Sequence, residues 1–200
     1  MSKIWITSDL HFSHDKEFVW KARGYKDVDE MNAKQVEKFN SVVAPEDTVY
    51  ICGDCMLNDN EKGIELLKQL NGKKHIILGN HDSNARKKLY EGIVESVSYA
   101  EMIKYKKIMF YLSHYPTITA NPGEEKPIYN LHGHTHQKTI FGPYPNCIHI
   151  GVDSWDGYPV SMDRVIELVK EYRNMNKAVI PNTFTEEKKS VFAKFFKRRK

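Results

Sequence analysis

Ile4-Trp5-Ile6-Thr7-Ser8-Asp9-Leu10-His11 is the stretch on which the reading of the fold turns. Ile4 to Thr7 has the length and β-branched or aromatic composition of a strand buried on both faces. Polar residues follow at once, with an aspartate and a histidine two apart. The same order of events recurs down the chain. Thr48 to Cys52 runs into Gly53-Asp54, and His75 to Leu78 runs into Gly79-Asn80-His81-Asp82. Ile108 to Ser113 runs into His114-Tyr115-Pro116, and Ile128 to Leu131 into His132-Gly133-His134-Thr135-His136. A sixth run covers Ile148 to Val152.

Helical patterns lie between these runs. Val28, Met31, Gln35, Phe39 and Val42 recur at three- and four-residue spacing, with Pro45 just beyond as a stop. Ile64, Leu67 and Leu70 repeat the pattern, with Gly72 past the end. Ser161-Met162-Asp163-Arg164 opens a third helix, through Val165, Leu168, Val169 and Tyr172. Pro116 to Pro127, with three prolines and a glycine, reads as a loop. Strands alternating with helices predict an α/β fold of layered sheets and flanking helices.

Composition narrows the class. The chain has 200 residues, 40% hydrophobic and 28% charged, which is globular and excludes a disordered, collagen-like or coiled-coil chain. No apolar run approaches the roughly 20 residues of a transmembrane segment. Residues 1–9 lack the apolar core of a signal peptide, and three cysteines fit a reducing compartment. The expected setting is cytoplasmic. The net charge of +4 divides unevenly: Glu186 to Lys200 holds seven Lys/Arg and two Asp/Glu, a balance of +5. The body before it is neutral. The expected organisation is one domain over residues 1–183 and a basic amphipathic helix or tail over 184–200, where Val191, Phe192, Phe195 and Phe196 recur among lysines and arginines.

In α/β proteins, ligands gather beyond the carboxyl ends of the strands. Five strands ending in Asp, Asn or His would aim those groups at one point. The i, i+2 spacing of Asp9/His11 and of His134/His136 puts each pair on one face of an extended segment. Asp9, His11, Asp54, Asn80, His114, His134 and His136 are the residue types that a two-metal site needs. Their mixed nitrogen and oxygen donors suit Mn, Fe, Zn, Co or Ni better than Mg or Ca.

This set of D-x-H, GD, GNHD, H and GHTH, in order, resembles the calcineurin-like metallophosphoesterase superfamily over about residues 3 to 170. Asn32 to Asn40 and Gly151-Val152-Asp153-Ser154-Trp155 are similar to a small bacterial and phage branch of it. The resemblance implies a layered αββα sandwich of two mixed sheets flanked by helices, with the metal site at the strand C-terminal ends. It implies two divalent ions, manganese foremost. Asp9, His11 and His136 would hold one, and Asn80, His114 and His134 the other, with Asp54 bridging. A bridging hydroxide would attack phosphorus in line. His81 would face the leaving oxygen as general acid or hydrogen-bond donor, with Asp82 orienting it. The activity implied is phosphoester hydrolysis, of diesters before monoesters because small members lack capping insertions. A nuclease or nucleotide phosphatase using the basic tail is the alternative, and a non-catalytic interaction platform a further one.

Other residues invite plainer readings. His132 is expected to be packed and hydrogen-bonded, and His75 and His149 to be structural. His14 could reach substrate or cap the following helix. Arg23 could clamp a phosphate, although a solvated helix-end arginine is the preferred reading. Asp153 could support the site from behind. Cys52-Gly53-Asp54-Cys55 matches C-x-x-C, but buried small hydrophobes are expected there rather than a redox pair.

Overall fold

The computed structural model describes residues 2–119, 126–144 and 146–179. Two mixed sheets flanked by helices make up the fold, as the family resemblance implies. The first sheet contains β1 (Ile4–Thr7), β2 (Thr48–Cys52), β3 (Lys73–Ile77), β4 (Ser96–Ser98) and β9 (Val160–Ser161), in the order β4-β3-β2-β1-β9. β1 to β4 run parallel, and β9 pairs antiparallel with β1. The second contains β5 (Ala100–Tyr105), β6 (Ile108–Ser113), β7 (Tyr129–His132) and β8 (Cys147–His149), in that order. β5 and β6 form an antiparallel hairpin, and β6, β7 and β8 run parallel.

The helices are α1 (Glu17–Trp20), α2 (Val28–Val42), α3 (Asn60–Gln69), α4 (Asn84–Tyr90) and α5 (Met162–Val179). Asp27, Asp59 and Ser83 cap α2, α3 and α4 by accepting the backbone N–H three residues on. A buried core joins Phe39 of α2, Leu66 and Leu67 of α3 and Tyr90 of α4 to Trp5, Val49, Ile51 and Ile76 of the first sheet. The alternate strand positions Ile6, Cys52 and Ile77 point to the other face and are also buried. The chain divides into two compact units, the first ending at Met162 and the second beginning at Asp163. Within the second, Arg164 pairs along α5 with Glu167 and Glu171. The basic stretch 184–200 lies outside the described residues.

Several elements differ from the sequence expectation. β4, β5, β9, α1 and α4 were not legible as periodic runs, because each is short or half-exposed. β6 is only half-buried, since its partner β5 is an edge strand. The sixth run divides: β8 ends at His149, and Val152–Ser154 forms a single 3-10 turn. All three cysteines are free and buried, and burial pushes the Cys52 and Cys55 thiols up, away from redox reactivity.

Candidate metal centre

Parallel pairing decides which loops meet. β1 lies beside β2, so the chain beyond β1 continues alongside the chain beyond β2. The N–H groups of Asp9, His11 and Phe12 donate to the carbonyls of Gly53, Asp54 and Cys55. The second sheet closes over this edge. Gly133 N–H donates to the carbonyl of His114, and His134 N–H donates to both oxygens of the Asp9 carboxylate at 3.1 Å. All five strand ends therefore converge, and the seven candidate ligands come together.

They do so through an unusual backbone. Asp9, His11, Asp54, His134 and His136 all have positive φ, at 60°, 52°, 53°, 68° and 46°. That left-handed region costs a non-glycine residue on the order of 1–2 kcal/mol and persists where surrounding contacts over-determine it, commonly at functional sites. The two i, i+2 pairs thus converge by successive left-handed turns, and not by lying on one face of an extended strand.

Two groups of ligand atoms lie within 4.8 Å of one another: Asp9, His11 and His136, and Asp9, Asp54 and His114. Asp9 belongs to both, where the family resemblance puts Asp54 alone in the bridging role. Asp54 also spans the centre. Its Oδ2 lies 3.4 Å from His114 Nε2 and 3.8 Å from His11 Nε2. Asn80 Oδ1 lies 2.8 Å from both His114 Nε2 and His134 Nδ1. His11 Nε2 and His136 Nε2 face each other at 3.3 Å.

These residues fit divalent ions. His136 Nδ1 faces Asp153 Oδ2 at 2.8 Å, and His114 Nδ1 faces the carbonyl of Cys52 at 2.9 Å. Each acceptor takes an Nδ1–H and leaves the ring's Nε2 turned inward, where the neutral ring offers a lone pair to a cation. His11 Nε2, His136 Nε2, His114 Nε2 and the Asp54 carboxylate thus converge on a small space that a cation would fill. Glycines keep the space open: a Cβ at Gly79 would collide with the Asp54 carboxylate, and one at Gly133 with Ser8 and the Asp9 carboxylate.

Burial and neighbouring charges shift the candidate ligands in different directions, raising His114 and His136 and lowering His11 and His134. Burial holds the Asp9 carboxyl above its usual value and the His11 imidazole well below its own. Burial also raises Asp54, but the His114 hydrogen bond and charge, with the His81 amide and His11, outweigh it and bring it down to about 2. His136 is raised, chiefly by its hydrogen bond to Asp153.

The surrounding residues revise the sequence reading. His81 stands at the mouth, 39% exposed, with Nε2 3.9 Å from Asp54 Oδ2. Asp82 does not stand behind its ring. The Asp82 carboxylate accepts the amides of Gly79 and Asp54 and the hydroxyl of Tyr90. The backbone of His81 is held otherwise, its N–H donating to Asp54 Oδ1 and its carbonyl accepting Arg86. His14 does not cap α1, whose N-cap is Lys16. Its Nδ1 lies 3.3 Å from His11 Nδ1, and its ring meets exposed Phe18. Arg23 is neither solvated nor free for a phosphate. It is buried against Asp153, with its remaining donors on the carbonyls of Asp9 and Leu10. His132, His75 and His149 are structural, bonded to the carbonyls of Gly133 and Gly142, to Ser96 and to Ser154. A cleft of about 250 Å³, lined by Arg23, Tyr25, Gln35, Lys138, Asp153 and Asp156 among others, includes none of the seven ligands.

Arg86, Tyr90 and Gln35 were missed as supports of the site. Gln35 donates to the Leu10 carbonyl at 2.9 Å. Nothing local distinguishes them from ordinary helix residues.

A layered α/β fold with these strand-end ligands defines a metal-dependent phosphoester hydrolase. The family model for calcineurin-like phosphoesterases matches residues 2–178, and the chain belongs to that family. An uncharacterised protein of Methanocaldococcus jannaschii, MJ1445, is 31% identical over 178 residues, covering 86% of this chain and 93% of its own. The Gene 66 protein of Mycobacterium phage L5 is 32% identical, covering 84% of this chain and 95% of its own. Among solved structures, a protein of unknown function from Aquifex aeolicus, AQ665, shares the fold with a TM-score of 0.64 and 22% identity. That match covers 84% of this chain and all of the other. No helix among the described residues is long and apolar enough to cross a membrane.

Proposed function

We propose that the protein is a phosphodiesterase working with two divalent metal ions, manganese foremost. The observation that carries the two-ion reading is the position of Asp54 Oδ2, within 4 Å of a histidine from each ligand set. In this reading Asp9, His11 and His136 hold one ion, Asn80, His114 and His134 the other, and Asp54 serves both. Imidazole, carboxylate and amide donors together suit manganese and its later neighbours. When bound, such a pair supplies Lewis-acid polarisation of the phosphoryl group and a hydroxide nucleophile near neutral pH.

The chain's own residues do the rest. His81, exposed at the mouth and clamped through its backbone, is placed to donate a hydrogen bond or proton to the leaving oxygen. Asp82 and Tyr90 hold the two loops that carry Asp54 and Asn80. Diester preference is supported by the compactness of the chain: the intervals between ligand segments are taken up mainly by the helices and strands of the fold. Free, buried cysteines fit a reducing setting, and the cytoplasm is the compartment this reading assigns.

The test is hydrolysis of bis(p-nitrophenyl) phosphate against p-nitrophenyl phosphate by Mn²⁺-loaded protein, with elemental analysis of bound metal. Diester turnover with two metal equivalents is the expected result. Absence of turnover by fully loaded protein sinks the enzymatic reading, and faster monoester turnover sinks the diester preference.

A further inference from the structure

We propose that Arg23 and Asp153 act as one positioning pair for the metal position of Asp9, His11 and His136. The inference rests on the two-metal reading above. Arg23 makes a bidentate fork to Asp153, with Nε to Oδ1 at 2.9 Å and Nη2 to Oδ2 at 3.1 Å. Its other donors reach the Asp9 carbonyl at 2.9 Å, the Leu10 carbonyl at 3.2 Å and Met31 Sδ at 3.8 Å. A guanidinium has five N–H groups, so all are engaged and none is left for substrate. The side chains are 8% and 13% exposed.

Each contact bears on a ligand of the same ion. Asp153 Oδ2 accepts the Nδ1–H of His136 at 2.8 Å, which turns His136 Nε2 inward. The two carbonyls gripped by Arg23 belong to the left-handed turn through Asp9 and His11, a conformation that needs an external hold. One buried pair thus ties the loop after β1 to the loop after β7.

The other position is braced by a different group, Asp82, which ties the loops that carry Asp54 and Asn80. His114 is anchored through the Cys52 carbonyl. The planar fork suits this geometry, since the three N–H groups of a lysine cannot grip both carboxylate oxygens and two carbonyls together.

The test uses the full chain, stripped with a chelator and titrated with Mn²⁺ by calorimetry, alongside thermal melts of the stripped protein. Asp153→Asn is expected to weaken one of two Mn²⁺ equivalents by about 10–100-fold and leave the other unchanged. Arg23→Lys does the same to a smaller degree, and Asn80→Ala weakens the other equivalent instead. A pair that merely holds the fold together would lower the melting temperature without selecting an equivalent. Wild-type affinity at both positions in Asp153→Asn and Arg23→Lys, or equal loss at both, overturns the proposal. If Asp153→Asn does not fold, Arg23→Lys decides by the same criterion. Should the wild type take up a single equivalent, the two-metal reading falls. The pair is then judged on whether that equivalent weakens in the two variants.

Discussion

The Asp82 carboxylate accepts the backbone N–H of Asp54 at 2.8 Å, across 28 residues of sequence. The same oxygen accepts the Gly79 amide at 2.8 Å, and the other oxygen takes the Tyr90 hydroxyl at 2.6 Å. Asp82 therefore ties together the loops after β2 and β3, the two that carry Asp54 and Asn80.

Asp82→Ala is expected to strand the buried Asp54 amide, the part-buried Gly79 amide and the buried Tyr90 hydroxyl. The loss is about 3 kcal/mol or more of stability, since each stranded donor costs about 1–3 kcal/mol. Metal affinity falls with it. Tyr90→Phe removes one hydrogen bond to the carboxylate and costs about 1.5–3 kcal/mol. Chemical denaturation and metal titration check both. An Asp82→Ala protein of normal stability and metal content, slowed only in turnover, would return Asp82 to the role of orienting His81.

His81→Ala is expected to keep its metal and its melting temperature and to lose about 10²–10⁴ in kcat. Its ring is half-exposed and makes no hydrogen bond that the fold needs. Steady-state kinetics at saturating Mn²⁺ provides the measurement, and wild-type kcat would remove His81 from the mechanism.

Gly133→Ala places a methyl group against Ser8 and the Asp9 carboxylate. Neither can retreat far, because Asp9 is wholly buried and Ser8 donates to the Cys52 carbonyl at 2.5 Å. Loss of metal binding is the expected outcome, with destabilisation of about 1–3 kcal/mol from overpacking. Elemental analysis of the purified variant reads it directly, and full metal occupancy would contradict the packing argument.

Stability on the acid side should depend on His149. Its Nδ1 bonds to Ser154 Oγ, whose own proton goes to the Gln137 carbonyl, so the free nitrogen is Nε2. That nitrogen is buried without a partner, and burial first, with His132 nearby, lowers His149 to about 3. The unfolded chain binds the proton near pH 6.5 and the folded one only near 3. Stability from this group is therefore whole above pH 6.5 and is lost as pH falls towards 3, by up to about 1.4 kcal/mol per pH unit. In His149→Gln the acid-side slope of the metal-free protein should be shallower by one proton. An unchanged slope would mean that His149 is not the group being forced neutral.

Much of this protein is readable along one dimension. Apolar runs of strand length, each ending in Asp, Asn or His, identify both the α/β class and the seven ligand candidates, because strand burial and metal ligation impose residue types that no surface position requires. Short or half-exposed elements such as β4, β5 and α4 escape that reading, since their burial comes from neighbours and not from their own periodicity. What only the tertiary structure decided is who stands behind the ligands. Arg23 looks like a solvated helix-end cation and Asp82 like the partner of adjacent His81. In the folded chain each is instead spent on distant partners, Asp153 and the Asp54 amide. The reason is geometric: parallel strands bring loops from positions 9, 54, 80, 134 and 153 into one small volume. There, buried donors and acceptors must be satisfied by whichever group lies within 3 Å, whatever its distance along the chain.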